Sequence, residues 1–408
     1  MSEKETLVER NGYLAWLIRW KDRRMIKVVS GVRRSGKSTL FTLFRSWLLS
    51  HGTAENQIIT VNFEDIAFEP LCNYKELYTW ISARLVSGKM NYIFLDEIQH
   101  VSEYEKAVDS LYIKENCDVY ITGSNAWFMS GELATLLTGR YVELKMLPLS
   151  FAEFCSGIPE QLRALSAEEK FNYYIENGSF PYILQLTGHE RDISEYLGGV
   201  YNSILLKDIV RRLKVSDVDT LERIIKFLMH NTGSQTSPAN IANTLTSSGN
   251  KVDQKTVSRY LRGLCDSLLF YEVPRCNIKR KQFLTTQNKY YPVDTGLRRL
   301  LIKTTERDAG HLLENIVFLE LMRRSDRVYT GQIDSQEIDF IAEQGNGTSY
   351  YQVALTTLDE ATLSRELFPL QKIHDSYPKY LLTLDTVFRT ADYDGINKLN
   401  VIDWLSRE

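Results

Sequence analysis

Residues 31–38 read GVRRSGKS and match the pattern G-x-x-x-x-G-K-[ST], which cradles phosphate groups. A strand-like segment, MIKVVS, precedes this loop and a helical segment, TLFTLFRSWLL, follows it, as the pattern requires. The glycines allow backbone N–H groups to wrap a phosphate at the start of a helix. Lys37 would neutralise β- and γ-phosphate oxygens, and Ser38 would offer its hydroxyl to Mg²⁺. The predicted nucleotide contacts in this loop are Gly31, Arg33, Arg34, Ser35, Gly36, Lys37, Ser38 and Thr39.

A second apolar segment, YIFLDE, ends in Asp96 and Glu97. Such a strand commonly accompanies a phosphate-binding loop, because its carboxylates serve the metal ion and the attacking water. Asp96 would hold Mg²⁺ through water, and Glu97 would act as the general base. Together with the loop, this strand predicts ATP and Mg²⁺ as cofactors.

A third strand-like segment, DVYITG, is followed by the polar pair Ser124 and Asn125. Either side chain could touch the γ-phosphate or the attacking water, although the pair would also fit an ordinary turn. The two arginines inside the phosphate loop leave a similar choice. One of Arg33 and Arg34 could contact phosphate or sense the nucleotide state, while the other faces solvent.

Arg140 ends the sequence LTGR, directly before the strand-like segment YVELKML. An arginine at this point could reach across a subunit interface and stabilise the charge of the transition state. In that case Arg140 acts in trans and the active species is a homo-oligomer, whereas an Arg140 that acts in cis requires only a monomer. A surface ion pair is the alternative interpretation of the same residue.

The apolar segments between Met25 and about Leu147 alternate with helical stretches. Because several of these segments are apolar on both faces, they predict strands covered by helices on both sides, and hence a largely parallel sheet. The fold class is therefore α/β, with a P-loop NTPase core over 1–147. Amphipathic helical patterns over 148–212 predict an attached helical subdomain.

Two further domains are predicted after the helical subdomain. Residues 213–285 contain three helical patterns and then a short strand-like segment, LLFYEVP, which is the outline of a winged helix-turn-helix. Residues 286–408 combine a helix, HLLENIVFLELMRR, with several strand-like segments, which predicts a second α/β domain.

A series of motifs resembles those of the predicted prokaryotic AAA+ superfamily ATPases that carry a C-terminal domain of unknown function. The motifs occur in the same order over almost the whole chain: GVRRSGKST, VNFED, YIFLDEIQ, ITGSN, LTGRYVELKMLPLSFAEF, NGSFPYIL and LLKDIV. The resemblance implies an ATPase of the AAA+ kind, with the loop and the two carboxylates in their usual roles. It also implies that Ser124 or Asn125 is the first sensor and that Arg140 is near the finger arginine.

The middle of the chain carries an excess of positive charge. Residues 207–285 hold 14 Lys and Arg against 7 Asp and Glu, although the whole chain has a net charge of -3. In the helical pattern DQKTVSRYLRGLCDSLL, capped by Asp253, one face is apolar. Double-stranded DNA is a candidate partner for the other face, and docking to a protein or within the chain is the alternative. The exposed candidates for DNA contact are Lys255, Ser258, Arg259 and Arg262.

The C-terminal domain resembles the restriction-endonuclease-like arrangement, with Glu314 on a helix and Asp339 on a strand. An active site of this kind needs carboxylates for Mg²⁺ and a lysine beside the attacking water. The expected Glu-x-Lys instead reads Gln352-Val-Ala354, so we expect the nuclease fold without competent cleavage. Glu314 and Asp339 could bind a metal ion weakly, or serve as capping and ion-pair residues.

Composition narrows the function classes. The charged start of the chain and the absence of an apolar run of about 18 to 20 residues predict a cytoplasmic protein without a membrane span. Five cysteines without a Cys-x-x-Cys pair favour neither a disulfide framework nor a zinc site. The sequence thus favours a Mg²⁺-dependent ATPase that acts as a nucleotide-driven switch coupled to its C-terminal modules. The alternatives are an ATP-gated DNA-binding regulator with slow hydrolysis, a nuclease, and an interaction scaffold with an inert nucleotide site. The presence of Lys37, Ser38, Asp96 and Glu97 disfavours the scaffold. A protein is the candidate partner besides double-stranded DNA.

Overall fold

A computed structural model describes residues 7–125, 137–280, 282–303 and 308–407, apart from the side chains of 285 and 286. The chain divides into two compact units. The first unit comprises Met1–Pro148 with Asp266–Leu268, and the second comprises Leu149–Cys265 with Leu269–Glu408.

The first unit is built on a five-stranded sheet with strand order β2-β3-β4-β1-β5. Its strands are β1 (Ile26–Ser30), β2 (Ile58–Asn62), β3 (Asn91–Asp96), β4 (Cys117–Gly123) and β5 (Tyr141–Lys145). Every neighbouring pair is parallel, which confirms the predicted parallel sheet. Strand β4 lies between β1 and β3, so the carboxyl ends of these three strands lie side by side at one edge of the sheet.

Helices cover both faces of this sheet. The helices of the first unit are α1 (Asn11–Trp20), α2 (Lys37–Ser50), α3 (Tyr74–Ser82) and α4 (Tyr104–Ile113). Because side chains alternate along a strand, Val28 and Val29 of β1 join two different apolar clusters. Val28 packs with residues of α3 and α4, and Val29 packs with residues of α1 and α2. The apolar character of the strands on both faces is thereby explained.

The second unit begins with helices and turns and contains no strand over residues 149–213, all of which the structure describes. Its helices are α5 (Phe151–Gly157), α6 (Glu160–Arg163), α7 (Ala167–Asn177), α8 (Glu190–Ser203), α9 (Arg211–Leu213), α10 (Val218–His230), α11 (Pro238–Ser247), α12 (Gln254–Asp266), α13 (Thr295–Leu301), α14 (Ala309–Arg324), α15 (Glu360–Gln371) and α16 (Val401–Leu405). A π-helical turn, Ile204–Val210, joins α8 to α9. None of the helices that the structure describes has both the length and the apolar character to cross a membrane.

An eight-stranded sheet of order β12-β13-β11-β10-β9-β8-β6-β7 organises the rest of the second unit. Its strands are β6 (Phe270–Asn277), β7 (Gln282–Pro292), β8 (Arg327–Ile333), β9 (Gln336–Gln344), β10 (Gly347–Ala354), β11 (Lys379–Thr383), β12 (Thr390–Tyr393) and β13 (Ile396–Asn400). Strands β6 and β7 are an antiparallel pair that follows the three helices α10, α11 and α12, and β6 also pairs in parallel with β8. Residues 285 and 286, on either side of the predicted domain boundary, both lie within β7.

Candidate nucleotide-binding site

The predicted phosphate loop, residues 31–38, follows the carboxyl end of β1 and leads into α2. Both of its glycines, Gly31 and Gly36, are required by geometry. A Cβ on Gly31 would lie 2.3 Å from the carbonyl oxygen of Met146, far inside the contact distance of any side chain. Gly36, directly before α2, has φ of 99°, a left-handed conformation that favours glycine. The loop backbone can therefore approach both Met146 and a ligand closely.

Lys37 is the first residue of α2 and is 4% exposed. Its Nζ donates hydrogen bonds to the carbonyl oxygens of Gly31 at 2.9 Å and Val32 at 3.3 Å. The same ammonium lies 3.4 Å from Oε1 of Glu97 at the end of β3. A buried lysine cation is thus held at the mouth of the loop, beside the carboxylate predicted to be the base.

Thr122, on β4, ties the two carboxylates of the β3 end together. Its hydroxyl donates to Oδ1 of Asp96 at 2.5 Å and accepts from the backbone N–H of Glu97 at 2.8 Å. Glu97 adopts a left-handed conformation, with φ of 55°, which turns the chain directly after the strand. Thr122 was not among the residues predicted from the sequence, although a polar residue within the apolar segment DVYITG is a signal for such a role.

The two carboxylates differ in their proton affinity. Burial raises the pKa of Asp96, and hydrogen bonds from the side chains of Ser38 and Thr122 only partly oppose this effect. Burial would also raise the pKa of Glu97, but the charge of Lys37 and a hydrogen bond from Gln99 outweigh it and lower that pKa. Glu97 is therefore ionised at neutral pH, as a general base must be.

Gln99 links Glu97 to the end of β4. Its Nε2 donates to Oε2 of Glu97 at 2.5 Å and to Oγ of Ser124 at 3.3 Å. Ser124 and Asn125 are both buried at this edge of the sheet. The predicted sensor position and the predicted base therefore belong to one hydrogen-bonded group, and Gln99 is a further residue that the sequence analysis missed.

The remaining loop residues have different surroundings. Arg33 is 8% exposed, and its Nη1 lies 2.6 Å from Oε1 of Glu64. Arg34 is exposed and has φ of 68°, so it is the one of the two arginines that faces solvent. Ser35 is buried, and its Oγ has no hydrogen-bond partner within the part of the chain that the structure describes. Ser38 is exposed and Thr39 is half-buried.

Ser38, the second residue of α2, and Asp96, at the end of β3, can both supply oxygen ligands, and the Ser38 hydroxyl is close enough to the Asp96 carboxylate to oppose the rise in its pKa. Mg²⁺ is commonly bound by one or two such protein groups together with substrate phosphates and water. Over the described residues, no group of three or more His, Cys, Asp and Glu side chains could hold a metal ion without further ligands. The donor set fits a magnesium ion that arrives with a nucleotide.

Arg140 lies at the opposite edge of the sheet from the phosphate loop. It directly precedes β5, and its carbonyl oxygen accepts from the backbone N–H of Ile26, at the amino end of β1. Five residues of strand separate this point from the loop, which is about 15 Å. The guanidinium pairs instead with Asp109 and lies 5.8 Å from the centre of the Tyr112 ring. The expectation that Arg140 could act in cis is therefore wrong for this structure, because the side chain cannot reach the phosphate loop of its own chain.

The predicted features of α12 in the second unit are present. Oδ1 of Asp253 accepts from the backbone N–H of Thr256 at 2.9 Å, which caps the start of the helix. The predicted apolar face is buried at Val257, Tyr260, Leu261 and Leu264. The four candidate DNA contacts are exposed at Lys255, Ser258, Arg259 and Arg262.

A second charged cluster lies in the second unit around Lys289 of β7, which is 3% exposed. Its Nζ lies 2.8 Å from Oε1 of Glu314, 2.5 Å from Oε1 of Glu337 and 4.0 Å from Oδ1 of Asp339. Burial alone would lower the pKa of Lys289, but the three carboxylates raise it. Burial, with the charge of Glu314, raises the pKa of Asp339 well above its usual range.

This cluster bears on the predicted nuclease-like site. Glu314 and Asp339 do lie together, and Gln352 borders Asp339, whose backbone N–H is 3.4 Å from Oε1 of Gln352. The Glu-x-Lys pattern places a lysine two residues after Gln352, at position 354, where the chain has alanine. The structure brings Lys289 into the group from a different strand.

Comparison with known proteins agrees with the geometry of the first unit. Residues 23–155 match the family described as "AAA domain", and residues 168–308 match "Domain of unknown function (DUF8612)". The chain is 38% identical over 402 residues to a protein of Haemophilus influenzae described as uncharacterized, covering 98% of this chain and 99% of that protein. The chain belongs to the family of this Haemophilus influenzae protein.

A more distant relative and a solved structure extend the comparison. An uncharacterized protein of Methanocaldococcus jannaschii is 28% identical over 398 residues, covering 93% of this chain and 85% of that protein. The solved structure is that of a Walker-type ATPase of Pyrococcus abyssi, with a TM-score of 0.53 and 15% identity over 74% of this chain and 97% of that one. This likeness concerns the fold. The first unit of the chain is an AAA-type, ATPase-like domain.

Proposed function

We propose that the first unit binds ATP with Mg²⁺ and hydrolyses it, and that the nucleotide state acts as a switch on the second unit. The observation that carries this proposal is the meeting of Lys37, Asp96 and Glu97 at the edge of the parallel sheet where the loop begins. The buried hydroxyl of Ser35 has no hydrogen-bond partner among the described residues, so it adds a polar group on the loop that a phosphate oxygen could satisfy.

The chemistry follows from groups that the chain supplies. The N–H groups of the loop and the Lys37 ammonium would bind the phosphates and neutralise their charge. Bound Mg²⁺, held through Ser38 and Asp96, would supply further charge neutralisation of the phosphate oxygens. These groups favour a transition state in which charge builds up on the phosphoryl oxygens.

Proton transfer would fall to Glu97. Phosphate oxygens compete with Glu97 for the Lys37 ammonium, which frees Oε1 while Gln99 holds Oε2. Oε1 then takes a proton from water as the water oxygen attacks the γ-phosphorus. The bond from the γ-phosphorus to the bridging oxygen breaks, and ADP and inorganic phosphate are released.

Arg140 enters this proposal only in trans. Its own loop is at the other edge of the sheet, so it would complete the site of a neighbouring copy, and the active species would be a homo-oligomer. The release of Arg140 from Asp109 would be part of that assembly.

Replacing Lys37 with alanine is expected to weaken ATP binding about 30- to 150-fold, because charge-assisted hydrogen bonds worth about 2–3 kcal/mol are lost. The measurement is isothermal titration of the full chain with ADP and with a non-hydrolysable ATP analogue, each with Mg²⁺. Lys89→Ala is the matched control, because Lys89 is an exposed lysine of the same unit. Unchanged affinity in Lys37→Ala would refute the assignment of the loop.

A second candidate function is ATP-gated binding of double-stranded DNA. It is favoured by the arrangement of three helices followed by the antiparallel pair β6 and β7, with exposed basic side chains on the capped helix α12. This arrangement is the one expected of a winged helix, in which α12 would enter the major groove. Strand β7 would be the wing, since the other edge of β6 pairs with β8.

The double substitution Arg259→Ala and Arg262→Ala is expected to reduce the salt dependence of DNA binding. Each lost phosphate contact lowers the slope of log K against log salt by about 1, so the expected change is about 2. Fluorescence anisotropy with labelled duplex DNA, at several salt concentrations and with ADP or the ATP analogue, measures it. Arg163→Ala serves as the control, since Arg163 is exposed on α6. A wild-type chain that binds no duplex even at low salt would favour docking to a protein instead.

A further inference from the structure

Arg10 is a buried arginine on the reverse side of the phosphate loop. It directly precedes α1 and is 3% exposed. Its Nη1 donates to the carbonyl oxygen of Ser35 at 3.1 Å, and its Nη2 donates to the carbonyl oxygens of Leu147 at 2.8 Å and Pro148 at 3.4 Å. One guanidinium therefore joins the loop to the last residues of the first unit.

The Ser35 carbonyl belongs to the peptide unit that also carries the N–H of Gly36. A trans peptide is planar, and its C=O and N–H point in opposite directions. A donor that fixes the Ser35 carbonyl on one side thus fixes the direction of the Gly36 N–H on the other. The positive charge on the carbonyl side also polarises the peptide and strengthens that N–H as a donor.

Residues 146–148 contact the loop and its flanking elements at further points. The backbone N–H of Met146 donates to the carbonyl oxygen of Ser30 at 2.7 Å, and Met146 also bounds the space around Gly31. The N–H of Leu147 donates to the hydroxyl of Tyr13, on α1, at 3.2 Å. The segment that leads out of the first unit is therefore held against the back of the loop.

We propose that Arg10 is a positioning residue that couples the nucleotide state of the loop to residues 146–148. The proposal rests on the proposed ATP site and adds how that site communicates with the rest of the chain. A phosphate that binds the Gly36 N–H orients the peptide, and the Arg10 bonds carry that orientation to the carbonyls of Leu147 and Pro148. Coupling of this kind is reciprocal, so removal of the bonds must also weaken nucleotide binding.

The test compares Arg10→Met and Arg10→Lys with the wild-type chain and with Arg19→Met, a change at an exposed arginine of α1. Methionine keeps much of the buried volume and loses every donor. Lysine keeps the charge, but its single ammonium cannot reproduce the planar fork that reaches both sides. Two quantities are measured: the affinity for ADP and for a non-hydrolysable ATP analogue, each with Mg²⁺, and amide hydrogen exchange in residues 146–150 with and without each nucleotide.

We expect nucleotide to change exchange over 146–150 in the wild type and in Arg19→Met, and this change to be lost in both Arg10 variants. Affinity is expected to fall about tenfold in Arg10→Met and less in Arg10→Lys. If Arg10 served only in packing, nucleotide would still change hydrogen exchange over 146–150 in Arg10→Lys. That observation would overturn the coupling, even if Arg10→Met does not fold. A wild type that binds nucleotide without any change over 146–150 overturns it as well. A wild type that binds no nucleotide refutes the proposed function itself, and the coupling with it.

Discussion

Glu97→Gln is expected to lower ATP turnover about 10²- to 10⁴-fold while leaving nucleotide bound. Glutamine matches glutamate in shape but cannot take a proton from water, so the chemical step slows. The change also removes the negative partner that lies 3.4 Å from Lys37, which leaves the ammonium more available to phosphate. Steady-state release of phosphate, together with nucleotide affinity, measures both effects.

The matched control is Glu115→Gln, because Glu115 is an exposed glutamate of the same unit. Turnover per subunit is followed at several protein concentrations, since a site completed by Arg140 of a neighbouring copy gains activity as copies associate. A Glu97→Gln chain with turnover near that of the control would contradict the role of the base. A loss of nucleotide affinity equal to the loss of turnover would instead indicate a binding role.

The phosphate loop and the carboxylates of β3 could be predicted from the sequence because each depends on residues adjacent in the chain. The residues that hold them in place are distant. Thr122 is 25 residues from Glu97, and Arg10 is 25 residues from Ser35. Nothing in the local pattern pairs them. The role of Thr122 follows from the strand order, which places β4 between β1 and β3 and brings the carboxyl ends of these strands together. The role of Arg10, directly before α1, follows from its contact with the Ser35 carbonyl oxygen.

For Arg140, the local motif LTGR was recognised in the sequence, but the edge of the sheet at which the arginine lies was not predicted. The sequence places LTGR directly before a strand, and a parallel neighbour of β1 must start at the amino edge of the sheet. The pairing of Ile26 with Tyr141 confirms that register. Knowledge of the strand order would thus have excluded an action in cis.

In the second unit, short elements were the harder ones to predict. Strands β12 and β13 have only four and five residues and were not predicted from the sequence. A signal was present in Asp394-Gly395, whose φ values of 52° and 84° are both positive, as in a type I′ turn. By contrast, α14 was predicted well because it is long and continuous. Length alone does not explain the difference, because the five-residue strands β1 and β5 were predicted. Strands β12 and β13 read TADY and INKLN, and neither contains the continuous apolar run that marks a strand in the sequence.

Lys289 lies among three carboxylates of the second unit. Lys289→Met is expected to destabilise the protein by about 3–5 kcal/mol, because it removes a buried cation and leaves Glu314, whose side chain is 13% exposed, and the half-buried Glu337 without their counter-charge. Burial raises the pKa of Asp339, so this carboxyl can hold its proton, but Glu314 and Glu337 lie closer to the ammonium and depend on it. Urea unfolding of the full chain, followed by fluorescence and by circular dichroism, measures the loss.

Lys279→Met provides the comparison, since Lys279 forms an exposed ion pair with Asp334 and should contribute no more than about 1 kcal/mol. A small effect of Lys289→Met would mean that Glu314 and Glu337 do not depend on this lysine as their counter-charge.

The position of Lys289 also predicts the outcome of a DNA-cleavage assay. The Lys289 ammonium lies between Glu314 and Asp339, where a nuclease would bind Mg²⁺. We therefore expect plasmid DNA to remain uncut by the wild-type chain with Mg²⁺, and cutting abolished by Asp339→Asn would show that this cluster is a catalytic site.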